Sequence, residues 1–241
     1  VLIFNFHHVE KPIRHPSRKH ISISPEGLRR FIRTLRLLGL EIVSLRDVLN
    51  EPARLQSVKR QVALTFDDGY VNNLEQALPI LEAEQCPATV FVLPGRLGGT
   101  NEWDQSHLPE AERDRLMTLE EMRTLAQSPW VTLGSHGLLH SDFTRLTSEE
   151  RQHELQESYR FLSEHFGDDF LPVFAYPWGY YSDDVIGDLE KSPYRYAFTV
   201  ETARWRPSDC PFKVPRYTVY FRDGNPLILL AKLCRHGVFL D

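Results

Sequence analysis

The chain has 241 residues, 41% of them hydrophobic and 25% charged, which is the profile of a globular chain long enough to bury one sizeable core. Its formal net charge of -5, with no block of like charge, offers no footprint for nucleic acid or an anionic membrane. No apolar run approaches the roughly 18 to 20 residues that cross a bilayer, and the three widely spaced cysteines, Cys86, Cys210 and Cys234, suggest neither a disulfide framework nor a cysteine zinc site.

The opening stretch "VLIFNFHHV" reads as a strand over residues 2–6 and not as a signal peptide, because no charged region precedes it. In "SPEGLRRFIRTLRLLG" a Ser N-cap and a Pro at the first helical position precede apolar residues at helical spacing and a Gly stop, which predicts a helix over residues 25–38. A strand at 61–66, a helix at 73–84 and a strand at 88–93 follow. The next stretch, 94–117, is irregular, and its Gly, Trp and Asp content suits the rim of an active site. Beyond it come a helix at 118–127, a strand at 131–133, a helix at 148–166, a strand at 173–176, a helix at 183–190 and a strand at 196–200. Short β-branched runs alternating with helices mark a parallel α/β sheet or barrel. With no internal repeat, linker or composition break, residues 1–241 read as a single domain.

Four clusters can carry chemistry. Asp67 and Asp68 in "LTFDDGYVNN" stand where a strand should stop, and side-chain alternation would send two such neighbours to different tasks; an Asp-Asp-Gly turn can equally do no more than cap the next helix. His136 and His140 in "LGSHGLLHSDF" are four residues apart, which on a helix stacks both imidazoles on one side, as for a pair of metal ligands, although such pairs also occur as surface or core residues. In "VFAYPWGYY" a strand runs into Pro177, Trp178 and Gly179, an aromatic turn able to form a pocket wall and present a backbone N–H. At the end of the first strand, alternation turns only one of His7 and His8 inward. Strand C-termini are where ligands gather in α/β folds, and that placement ties the clusters together.

Taken in order, "TFDDGY", "SHGLLH" and "AYPWG" resemble the motifs of the polysaccharide deacetylases of carbohydrate esterase family 4, the NodB-homology domains. Gly137 stands where the family's H(S/T)xxH motif has Ser or Thr. The leading "FHHV" and the helix after it are similar to the circularly permuted poly-N-acetylglucosamine deacetylase branch, in which the histidine otherwise near the C-terminus sits on the first strand. The resemblance implies a distorted (β/α) barrel with fewer than eight strands, NodB-like, with Asp68, His136 and His140 holding a divalent metal, usually zinc. It also implies Asp67 as general base, His7 as general acid and the Trp178 backbone N–H as donor to the oxyanion. The family's third motif reads RxPYG, and here Ala175 replaces the arginine that orients the base and Trp178 replaces the tyrosine. Arg216 in "KVPRYTVY" is the candidate substitute, and His236 is read as incidental.

The implied activity is removal of N-acetyl groups from an N-acetylated glycan, whether polysaccharide, oligosaccharide or lipid-linked. Hydrolysis of another non-peptide C–N bond on the same fold is a second reading. A catalytically silent carbohydrate-binding module with an aromatic rim of Trp103, Trp178, Tyr180 and Tyr181 is a third. For location, unpaired cysteines lean toward the reducing cytoplasm, whereas the permuted branch commonly works outside it.

Overall fold

The computed structural model describes residues 1–11, 20–50 and 60–236. In chain order the first elements are β1 (Leu2–Phe6), β2 (His8–Val9), β3 (Ser22–Ile23), α1 (Pro25–Leu37), β4 (Glu41–Ile42), α2 (Leu45–Asn50) and β5 (Gln61–Phe66). A π-helical turn, Asn73–Ala77, then runs into α3 (Leu78–Ala83), followed by β6 (Ala88–Val92), α4 (Glu102–Gln105), α5 (Leu119–Ala126), β7 (Val131–Ser135) and α6 (Ser148–Phe166). The remainder is β8 (Phe170–Ala175), α7 (Asp183–Leu189), β9 (Tyr196–Phe198), β10 (Tyr217–Thr218) and α8 (Pro226–Arg235). Helix starts follow side-chain chemistry: Ser24 caps α1 ahead of Pro25, and Thr118 and Thr147 form reciprocal capping boxes with Glu121 and Glu150. Strand β8 begins three residues before the expected one because Pro172, which reads as a strand breaker, lies inside it.

Seven strands pair in the order β10-β1-β5-β6-β7-β8-β9, all parallel, and β4 pairs with the start of β5. The two edges of this path are joined by one short segment. Val214 bridges Phe198 of β9, and three residues later Tyr217 and Thr218 pair with Phe4 and Asn5 of β1. The result is a distorted (β/α) barrel with seven strands on its path.

Strand alternation divides the interior into two layers. Leu2, Phe4, Phe6, Leu64 and Phe66 point outward and pack with Phe31 and Ile32 of α1. Ile3, Ala63, Phe91, Val173, Ala175, Phe198 and Val214 form a separate buried cluster inside the barrel. Continued toward the strand C-termini, the inward series Ile3, Asn5, His7 and Ala63, Thr65, Asp67 brings a histidine and a carboxylate to the barrel mouth. Among the described residues, no helix is long and apolar enough to cross a membrane.

Candidate metal centre and active site

A cavity of about 190 Å³ at the barrel mouth is lined by His7, Asp67, Asp68, His136, His140 and Trp178, together with Asp104 and Tyr176. A larger hollow of about 450 Å³, beside Glu75 and Arg113, contains none of the candidate catalytic or metal-binding residues. The chemistry therefore sits in the smaller one.

Asp67 and Asp68 do not take opposite faces as simple alternation predicts. Asp67 continues the ladder, its N–H donating to the Phe6 carbonyl at 2.9 Å, but the backbone of Asp68 turns to φ 73°. That left-handed turn, continued by Gly69 at φ 68°, rotates Asp68 into the same cavity. His136 and His140 are likewise not on a helix. His136 follows β7 directly, while His140 ends a tight loop at φ 61°, so the loop and not a helical face unites the rings. With Trp178 at φ 54°, three non-glycine residues of the cavity wall have positive φ, a conformation that costs energy outside glycine and gathers at functional sites.

The Nε2 atoms of His136 and His140 approach the same oxygen, Oδ1 of Asp68, at 3.2 and 3.3 Å. That oxygen is buried, and no contact to it has hydrogen-bond geometry. Nδ1–H of His136 donates to the Ala175 carbonyl at 2.8 Å, which orients the ring and, in the neutral form, leaves a lone pair at Nε2. Three buried ligand atoms thus converge within 4.8 Å. Two nitrogens and one carboxylate oxygen aimed at a common point fit a divalent metal bound by three protein ligands with open positions beside them. His140 lies between Trp103, stacked on it at 4.3 Å, and Trp178, edge-on at 4.3 Å. The irregular 94–117 stretch therefore does reach the site. Asp104 follows Trp103 and accepts from the Trp178 indole N–H at 3.4 Å.

Arg216, in the closing segment, is fully buried and forms a fork on Asp67: Nη1 to Oδ1 at 2.7 Å and Nη2 to Oδ2 at 2.8 Å. Its remaining donors reach the Thr199 carbonyl at 2.9 Å and Thr65 Oγ1 at 3.2 Å, and the guanidinium lies over the rings of Phe91 and Phe198. Ala175, in the position of the family's arginine, belongs to the apolar interior cluster. The cation comes instead from the far end of the chain.

Burial works against ionisation of Asp67, yet the Arg216 guanidinium, helped by His136, holds its carboxyl below the usual range. For Asp68 burial also opposes charge, but the two imidazoles beside it hold it well below that range. Burial opposes a charged His136 too, and the Asp67 and Asp68 carboxylates raise it above the ordinary imidazole value; at His140 burial dominates and lowers it.

His7 lines the cavity, with Nδ1 buried and without a hydrogen-bond partner, and its carbonyl accepts from Asn73 at 2.8 Å. His8 is turned away, stacked on Tyr70 at 3.8 Å with Nε2 3.6 Å from Asp114. His236 packs against Tyr217 at the end of α8 and does not line the cavity. In the turn at Pro177–Gly179, the N–H groups of Gly179 and Tyr180 bond the Tyr176 and Pro177 carbonyls, and the Trp178 N–H lies outside that pattern.

One buried residue was not singled out by its sequence. Glu154 of α6 is 4% exposed and receives Leu138 N–H at 2.8 Å and Leu139 N–H at 3.2 Å on Oε2. The available signal was an acid beside Leu155 on the buried stripe of α6, which includes Arg151, Ser158 and Leu162.

Two nitrogens and a carboxylate at the mouth of a parallel barrel, with a second, ion-paired carboxylate alongside, form a candidate metal centre of the kind hydrolases use. The polysaccharide deacetylase family model matches residues 55–197, and the chain belongs to that family. A Staphylococcus aureus (strain MRSA252) poly-beta-1,6-N-acetyl-D-glucosamine N-deacetylase is 25% identical over 206 residues, covering 83% of this chain and 69% of the relative. The YxkH protein of Bacillus subtilis (strain 168) is 29% identical over 140 residues, 58% of this chain, which spans only 44% of that relative's length. Among solved structures, IcaB from Ammonifex degensii superposes with a TM-score of 0.79 at 21% identity, covering 96% of each chain. The Streptococcus pyogenes deacetylase PplD, in complex with acetate, does so at 0.75 and 20% identity, covering 95% of each. At these identities the structural likenesses establish the fold.

Proposed function

We propose that this domain hydrolyses the N-acetyl amide of an N-acetylated amino sugar within a polysaccharide, oligosaccharide or lipid-linked glycan, using a divalent metal, foremost zinc, held by Asp68, His136 and His140. The observation that carries this reading is the convergence of those three ligand atoms in one cavity with Asp67 and His7. A metal bound there supplies Lewis acidity, lowering the pKa of water toward ~7 and polarising the acetyl carbonyl.

The chain's own residues do the rest. Asp67, kept ionised by Arg216, accepts the proton of the attacking water at its carboxylate. The Trp178 N–H donates to the acetyl oxygen as that oxygen gains charge, a contribution of roughly 2.7–4 kcal/mol for a well-placed donor. An amine leaves poorly unless protonated, and the His7 imidazole delivers a proton to the sugar nitrogen as the C–N bond breaks. The family membership, and the activity for which the Staphylococcus aureus relative is named, support a poly-N-acetylglucosamine type of substrate.

Acetate release from N-acetylglucosamine oligomers is expected to vanish on chelation and return on adding zinc or another divalent ion. Failure to release acetate with every metal tried, while the oligomer still binds, would leave a binding module and sink the enzyme reading. His7→Ala is expected to lower acetate release by about 10²–10⁴-fold with metal affinity nearly intact, and His236→Ala to leave the rate unchanged. The reverse pattern would move the acid to the C-terminal histidine.

A further inference from the structure

Between the two histidine ligands lies a loop whose backbone is held from outside the family motif. Gly137 has φ 85°, and its N–H is tied to Ser135 Oγ at 3.2 Å. The next two N–H groups, Leu138 and Leu139, both donate to Oε2 of Glu154, and the Ser141 hydroxyl donates to Oε1. A Cβ placed on Gly137 would stand 3.3 Å from that same Oε2 and 3.4 Å from the Phe143 ring. A Ser or Thr at position 137 would therefore press on the Glu154 carboxylate and adopt a strained left-handed backbone.

We infer that Glu154 is a positioning residue for the metal ligands: from α6 it clamps residues 138–141 and so fixes His140 in its left-handed conformation against Asp68. The inference rests on Asp68, His136 and His140 being the metal ligands. Glu154 does not line the catalytic cavity, so its effect passes through the loop. The glycine and the buried acid make a pair: with no side chain at 137 to tie the loop, both carboxylate oxygens are devoted to it. Groups that orient ligands from outside a metal site typically change metal affinity by 10–100-fold when removed.

The test is Co²⁺ binding to purified protein, measured by competition with a chelating dye and by visible absorption, with thermal unfolding of the metal-free protein recorded alongside. Glu154→Ala is expected to weaken Co²⁺ binding by ~10–100-fold and to change the absorption of the bound ion. Glu154→Gln, nearly isosteric, places an NH₂ where one accepting oxygen stood and is expected to weaken binding by about tenfold, which carries the test if the alanine variant does not fold. Glu149→Gln, at an exposed position of the same helix, serves as the unchanged control. A folded Glu154→Gln protein that binds Co²⁺ within twofold of wild type, even with a lower melting temperature, would reduce Glu154 to a structural residue and overturn the inference. Equal Co²⁺ affinity of wild type and His136→Ala would instead overturn the metal assignment on which it rests.

Discussion

Asp67→Asn is expected to lower acetate release by about 10²–10⁴-fold while Co²⁺ or Zn²⁺ affinity stays close to wild type. The substitution keeps the shape of the side chain and an acceptor for Arg216 but removes the charge proposed to take the proton from water. Asp68→Asn, one residue on, should behave differently and lose metal and activity together, because its Oδ1 faces both imidazoles. This contrast separates two carboxylates that share a cavity and a sequence motif. Activity within tenfold of wild type for Asp67→Asn would reassign the base, and Asp104, the other carboxylate lining the cavity, would be next to test.

Arg216→Met should destabilise the fold by about 3–5 kcal/mol and depress the rate at the same time. The pair it breaks is buried on both sides, with Arg216 0% and Asp67 2% exposed, so truncating one partner strands a nearly buried charge without its counter-ion. The pH dependence has a definite sign. Because the folded-state pKa of Asp67 is lowered, its contribution to stability is fully present above the unfolded carboxylate range, near pH 4, and is lost as pH falls through the lower folded value. Urea unfolding at several pH values should therefore show the gap between wild type and Arg216→Met narrowing on acidification. In a double-mutant cycle, adding Asp67→Asn to Arg216→Met should cost much less than its effect alone. A constant gap across pH, or simple additivity, would show that Arg216 acts by filling space against Phe91 and Phe198.

The strands were legible because parallel strands buried on both faces read as continuous apolar runs, as at "LIFNF" and "QVALTF". Helix starts were legible from their caps. The two-residue strands β2, β3, β4 and β10 are too short to leave a periodic pattern, whereas α8 did carry a start signal that went unread, Asn225 capping Leu227 N–H ahead of Pro226. Within the site, alternation left one of His7 and His8 to face inward and the family resemblance pointed to His7, which lines the cavity; alternation failed at Asp68, where a left-handed residue ended it. The spacing of His136 and His140 pointed to proximity but not to its cause, since four residues fit a helical turn and a tight loop alike. Arg216 could be suspected only as a cation to replace the one missing at Ala175; its fork on Asp67 depends on how the last strand docks, which no local pattern encodes.

The segment from Val214 to Thr218 joins the two free edges of the sheet and carries Arg216 between its two attachments. Because 149 residues separate Arg216 from Asp67, this contact is among the last that a growing or refolding chain can make. A polypeptide synthesised only as far as residue 213 holds Asp67, Asp68, His136 and His140, yet lacks Arg216, the ion-pair partner of Asp67. In the proposed reaction, the segment that closes the barrel is thus also the one that brings the proposed base its counter-ion.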